Sequence, residues 1–322
     1  METISMEAIS KERFAYVGEN AKEREAIARP SMTFMQDATR RLVKNRVALV
    51  CVVLLAALIV VSLLAPVVSP FDYREQHYGH TNEAMGFVCD QPDCAGFGHK
   101  HLFGTDSLGR DIFTRCWMGG RVSLLIAFST ALIDFFLGVI YGGISGYFGG
   151  TTDIIMMRIL EIINGIPYLM IIILLRMVMP GGVLSIIVAY SLVGWIPMAR
   201  LVRGQVVALK QQEFISAAEA LGAGPARLIA KHLLPNTISV VIVRVTLSIP
   251  AAIFSEAWLS YMGLGVQLPL CSWGSLAQAG IENFRLYPSQ LLIPAICISV
   301  TMLAFNLFGD GLRDAFDPKL RR

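Results

Sequence analysis

Charge is scarce in this chain. Lys, Arg, Asp and Glu make up 16% of its 322 residues, against about 25% in an ordinary soluble domain. The polar surface that a water-soluble fold of this length needs is missing. Disorder is excluded as well, because 55% of the residues are hydrophobic and such a chain does not stay solvated. The 28 glycines and 14 prolines follow no period, which excludes a collagen-like or low-complexity architecture. A net charge of only +3, with no basic patch interleaved with aromatics, argues against nucleic acid as a partner. No Gly-x-x-x-x-Gly-Lys-Ser/Thr stretch occurs, so the chain has no ATP phosphate cradle of its own. No Ser/His/Asp set or paired carboxylate site stands out, and no catalytic residue is assigned. Internal repeats, a mark of many secondary transporters, are not seen either.

What the chain does have is long apolar runs. A bilayer core needs roughly 20 apolar residues in helix. Six runs qualify: Val47 to Val68, Val122 to Tyr147, Ile154 to Met179, Val183 to Met198, Ile238 to Tyr261 and Leu291 to Phe308. The first is too long for a signal-peptide core and follows a long polar tail. The fourth is the shortest and is followed at once by Arg200 and Arg203. Pro180-Gly181-Gly182 reads as the turn before it. The class is therefore an all-α polytopic membrane protein with six transmembrane helices.

Orientation follows from Lys and Arg near the membrane. The N-terminal tail, the segment 199–237 and the C-terminal tail fall on one side of six spans and carry eighteen of them; the other side carries five. The expected layout is a cytoplasmic tail 1–46, a first helix 47–68, an external loop 69–119, a transmembrane domain 120–310 with a cytoplasmic loop 199–237, and a cytoplasmic tail 311–322. Both termini are cytoplasmic in this reading. Gly138, Gly142, Gly143 and Gly146 read as helix-packing positions.

The loop 199–237 is the most informative segment. Phe214, Ala217, Ala218 and Leu221 fall at i, i+3, i+4 and i+7, one face of a helix. Gly222-Ala223-Gly224 breaks it, and Pro225 suits the first position of a second helix. Leu228, Ile229, His232 and Leu233 form that helix's stripe, and Pro235-Asn236 is expected to end it. Two short amphipathic helices joined at a Gly-rich bend need a groove or a lipid surface to cover their stripes. The small residues favour a protein groove.

Here the sequence resembles a family. Ser216-Ala217-Ala218, Gly222 and His232-Leu233-Leu234-Pro235 are similar in spacing to the coupling loop of ABC importer permeases, with Ser216 in place of Glu and His232 in place of Ile. Phe103-Gly104-Thr105-Asp106-Ser107-Leu108-Gly109-Arg110-Asp111, Gly120-Arg121-Val122-Ser123-Leu124, the stretch from Glu256 to Gly265, Ser272-Trp273-Gly274 and the stretch from Gly309 to Pro318 look like the peptide-importer branch. An extra N-terminal helix before a five-helix core resembles the second, C-type permease of oligopeptide and dipeptide importers. The resemblance implies the type I ABC importer permease fold in a bacterial inner membrane. It implies docking of the loop (Phe214, Ser216, Ala217, Ala218, Leu221, Gly222, Gly224, His232, Leu234 and Pro235) on a separate ATPase. It further implies a homologous permease, two ATPase subunits that bind the ATP and Mg, a periplasmic or lipid-anchored substrate-binding protein, and a peptide substrate. The chain itself carries no cofactor. An alternative is the same architecture importing nickel or glutathione. A remote one is an ion-driven secondary transporter, which would need repeats and a discontinuous helix pair.

Ionisable groups inside spans are candidate functional groups. Asp134 is either hydrogen-bonded to a neighbouring helix or part of a pathway. Arg158 and Glu161, at i and i+3, either pair or snorkel. Arg176, Arg244 and Glu256 lie near span ends, where snorkelling is the default. Outside the membrane, Cys89 and Cys94 flank a turn-forming Asp90-Gln91-Pro92-Asp93 and are expected to form a local disulfide. His77, His80, His99 and His101 share that loop, but their spacing is not a standard zinc pattern, and no metal site is assigned.

Overall fold

The structure, a computed structural model, describes residues 34–90, 96, 98–179 and 182–316. The described residues from 38 to 316 form one unit. Helix α1 (Phe34–Lys44) leads into the first span, α2 (Arg46–Val68). Asn45 caps α2 by accepting from the Val47 and Ala48 amides, which satisfies donors the helix itself cannot. A lobe follows, holding a two-stranded hairpin of β1 (Phe87–Val88) and β2 (Lys100–His101).

Helix α3 (Ile112–Phe148) is the spine of the unit. It starts at Ile112 rather than at 120, because Asp111 caps it there: Oδ2 accepts from the Thr114 amide at 2.7 Å and the Thr114 hydroxyl at 2.6 Å. The run 154–179 is not one helix. It divides into α4 (Gly150–Asn164) and α5 (Tyr168–Val178), bent by 74°. Gly165 and Pro167 occupy the break, and a proline disfavours helix in the residue before it. Among the described residues, five helices are long and apolar enough to cross a membrane, or six if this bent pair is one span.

The expected short fourth span is longer than its apolar run. Helix α6 (Val183–Ser191) passes through a turn into α7 (Ile196–Lys210), and together they make 28 residues. The first part of the supposed loop 199–237 is therefore helix. Helix α8 (Glu213–Ala220) follows. The helix expected to stop at Pro235 does not stop there: it runs on as α9 (Pro225–Tyr261). A π-helical stretch at Leu228–Leu233 widens the helix just ahead of Pro235, where a proline ring would meet a carbonyl of a regular α-turn. The Asn236 side chain then donates to the His232 carbonyl at 2.6 Å. Helix α10 (Trp273–Glu282) and the last span α11 (Ser289–Phe316) complete the described fold.

Packing is by close backbone approach, as lipid gives little hydrophobic drive between helices. Gly138, Gly142 and Gly146 line one face of α3. A Cβ on Gly138 would come within 2.5 Å of Met198, and one on Gly142 within 2.3 Å of the Ala199 carbonyl. Both contacts lie on α7, so these glycines are packing residues, as expected. Cys51, Leu55, Leu124, Ile253, Trp273 and Phe305 fill the core shared by α2, α3, α9, α10 and α11.

Candidate functional site

Helix α8 hangs from the rest of the unit by a single deep anchor. Ile215 is 1% exposed and packs with Val202, Val206, Leu228 and Leu233 of α7 and α9. The sequence pattern did not single it out, because it lies beside the predicted stripe rather than in it. Of that stripe, Ala218 is half-buried against the same cluster, whereas Phe214, Ala217 and Leu221 are exposed. Leu221, at 89% exposure, has little cover from the described residues. Ser216, Gly224 and Pro235 are exposed too, and His232 and Leu234 are half-buried at the start of α9.

The end of α8 is a complete Schellman motif. The Ala223 amide donates to Ala218 O at 3.0 Å and the Gly222 amide to Glu219 O at 2.9 Å. Gly222 has φ +83°, the left-handed conformation that a glycine adopts without Cβ strain. A Cβ there would meet nothing within 4 Å. The need for glycine at 222 is therefore one of backbone conformation, not of space within this chain. Helix α7 is fixed nearby. Arg203 pairs with Asp153 of α4, and Lys210 donates to the Tyr147 carbonyl at 2.7 Å while lying over its ring.

The membrane-embedded polar groups sort into three kinds. Asp134 faces the turn between α6 and α7, where a Cβ on Gly194 would come within 2.7 Å of its Oδ2. Its Oδ1 is buried with no hydrogen-bond partner among the described residues. Arg158 and Glu161 pair with each other at 2.8 Å on an exposed face of α4 and do not snorkel separately. Glu256 and Arg176 are buried, not snorkelling. Arg176 donates to the carbonyls of Leu264 and Gly265. Glu256 is fully buried and accepts from Ser260 at 2.7 Å, Ser272 at 2.6 Å and Ser123 at 3.3 Å.

Glu256 thereby joins three segments that are far apart in sequence. Ser123 also accepts from the Trp273 amide, and the Trp273 indole donates to Cys116 O at 2.9 Å. A Cβ on Gly274 would come within 2.6 Å of Ala257, and one on Gly120 within 2.8 Å of the Trp273 ring. Beside this hub, Asp106 pairs with Arg110 at 2.8 Å, with Arg115 3.6 Å away. Of the expected Cys89–Cys94 bridge, Cys94 lies outside the described residues; Cys89 is a buried thiol. The turn at 180–181 is likewise outside them.

Two family profiles match the chain: a binding-protein-dependent transport system inner membrane component over residues 137–322, and the N-terminal transmembrane domain of oligopeptide transport permease C over 33–84. The chain is 46% identical over 315 residues to a dipeptide transport system permease protein of Bacillus subtilis (strain 168), covering 98% of this chain and 95% of that one. It is 44% identical to an oligopeptide transport system permease protein of the same organism, over 98% of this chain and all of the relative. A third, the oligopeptide transport system permease protein of Escherichia coli (strain K12), is 41% identical over 89% of this chain and 91% of its own length.

Proposed function

This chain belongs to the binding-protein-dependent transport system inner membrane components, and from that premise we propose that it is the C-type permease subunit of an ATP-driven importer of oligopeptides or dipeptides. It is a multi-pass membrane protein and a transport permease, not an ATPase. A homologous permease completes the pathway, two ATPase subunits bind ATP and Mg and supply the energy, and an external binding protein delivers the peptide. Both termini and α8 face the cytoplasm, in keeping with the eighteen-to-five charge bias.

The observation that carries the coupling role is the uncovered apolar stripe on α8. Phe214, Ala217 and Leu221 project from a helix that is held only through Ile215 and Ala218. An exposed apolar stripe on an otherwise tethered short helix fits a groove in a partner. Nucleotide-driven closure of the ATPases would move α8, and α7 and α9 would carry that motion into the span bundle. The embedded Asp134, beside a turn in the α6–α7 span, belongs to the polar lining or to the permease–permease contact. A secondary transporter gains no support, since only one bent helix pair occurs among the described residues and no repeat is seen. Nothing favours nickel or glutathione as cargo.

The test is co-expression with the candidate partners, purification through a tag on this chain, and reconstitution in liposomes. Peptide uptake should require both the ATPases and the binding protein. Uptake driven by this chain alone with an ion gradient would overturn the proposal.

A further inference from the structure

Among its described residues, the lobe between α2 and α3 has little apolar core. Its buried apolar cluster is Phe71 with Cys89, and no disulfide occurs among the described residues. Small lobes of this kind usually need a staple. His80, Cys89 and His101 supply the parts of one. One ring nitrogen of each histidine and the Cys89 sulfur lie within 4.8 Å of one another. The three residues are 3%, 1% and 1% exposed.

The hydrogen bonds fix which nitrogens face inward. His101 Nδ1 is 2.9 Å from Asp111 Oδ1, and His80 Nε2 is 2.7 Å from Asp90 Oδ1. A carboxylate only accepts, so each of those ring nitrogens carries the proton. That leaves His80 Nδ1 and His101 Nε2 as bare lone pairs. Both are buried and have no hydrogen-bond partner among the described residues. Two buried imidazoles with orphan lone pairs beside a buried sulfur are costly as they stand, and they are what a metal ion takes. A carboxylate behind each histidine is the usual orienting arrangement for metal-bound imidazole.

We propose that His80, Cys89 and His101 form a structural zinc site that staples this lobe. Two imidazole nitrogens and one thiolate suit zinc, and hard cations such as magnesium or calcium want oxygen. A tetrahedral zinc would draw the ligand atoms to about 3.4–3.6 Å from one another, a small contraction from their present spacing. Cys89 binds as thiolate and releases its proton to solvent, while both histidines bind neutral. The remaining +1 faces the carboxylates of Asp90 and Asp111, which bring the whole cluster to −1. Three protein ligands leave one position of the tetrahedron to a further donor. His77 is not needed: its Nε2 faces Glu75 at 3.3 Å.

The site reaches into the span bundle. His101 holds Asp111, and Asp111 caps α3. Gln290 at the start of α11 donates to Asn82 and to the Thr105 carbonyl. Zinc would lock the hairpin onto the first turn of α3. The proposal does not depend on which solute is carried.

The test uses the full chain, purified from membranes without a polyhistidine tag or chelator, with elemental analysis. About one zinc per chain is expected, falling at least several-fold in His80→Ala, Cys89→Ser and His101→Ala, and unchanged in His99→Ala, whose residue is exposed. Replacement by cobalt should give a sulfur-to-cobalt charge-transfer band that Cys89→Ser removes. The wild-type measurement stands even where a variant fails to fold. Absence of zinc from the wild-type chain, zinc retained in all three ligand variants, or recovery of Cys89 from unreduced membranes in a disulfide with Cys94 would overturn it.

Discussion

The two ends of the bundle are built on opposite principles. At the end that carries Glu256, the lobe and α10, the carboxylates are paired within the chain, and His80 Nδ1 and His101 Nε2 are left without a partner among the described residues. Glu256 gathers three hydroxyls, Asp106 holds Arg110, Asp111 caps α3 and Trp273 is fully buried. At the α8 end, one isoleucine holds a helix whose apolar stripe is left uncovered. Apart from the cluster of His80, Cys89 and His101, the first end is complete as a single chain. The second leaves that stripe to the proposed partner. That difference fits the proposed function, in which a rigid framework at one end is joined to an element at the other through which force from a partner enters.

The largest effect is expected at the complete end. Glu256→Ala strips the acceptor from Ser123, Ser260 and Ser272 in a fully buried site. The cost should be about 3–5 kcal/mol, typical of breaking a buried network. Thermal stability in detergent and membrane level should both fall, with Glu256→Gln intermediate. A stable Glu256→Ala protein would show that the hub does not organise this end.

At the other end a change should damage function and spare the fold. Gly222→Val forces a β-branched residue to φ +83°, at a cost of about 1–3 kcal/mol, and disrupts the Schellman turn. Membrane level and pairing with the second permease should be near normal, with uptake abolished. Gly222→Asn should be milder, since Asn tolerates that conformation. Ile215→Ser sharpens the contrast. It removes the anchor of α8, and proteolysis within 211–224 should increase while the bundle melts as before.

Smaller still is Ser216→Glu. The residue is exposed, so stability should change by no more than about 0.5 kcal/mol. Transport should be kept or improved, because the change restores the family pattern. Clear loss of uptake would mean that the α8 surface fits its partner differently from the family pattern.

How much of this was legible in the sequence differs between the same two ends. Spans are written in continuous apolar runs, so their existence could be read directly, and the expected six are met if the bent α4–α5 pair is one span. Their ends could not. Arg200 and Arg203 looked like the start of a loop, yet α7 continues to Lys210 because Arg203 finds Asp153 and Lys210 finds Tyr147 O. Pro235 looked like a stop, and a π-helical turn lets the helix pass. Gly222 was legible because a positive φ leaves a local signature. Ile215 was not, because its burial depends on α7 and α9 folding over it. The roles of Glu256 and Arg176 were also hidden. A charge near a span end reads as snorkelling until the serines or carbonyls brought to it from distant segments are seen. The cluster of His80, Cys89 and His101 has no regular spacing, since a hairpin rather than a motif brings its members together.

The most direct measurement is photo-crosslinking from α8 in the assembled importer, with a photoreactive amino acid placed in turn at Leu221, Phe214 and Ile215. Crosslinks from Leu221 and Phe214 to the ATPase subunit, with none from Ile215 outside its own chain, are expected from the uncovered stripe and its buried anchor. Crosslinks from Leu221 and Phe214 to lipid alone, at full transport activity, would contradict the coupling role of α8.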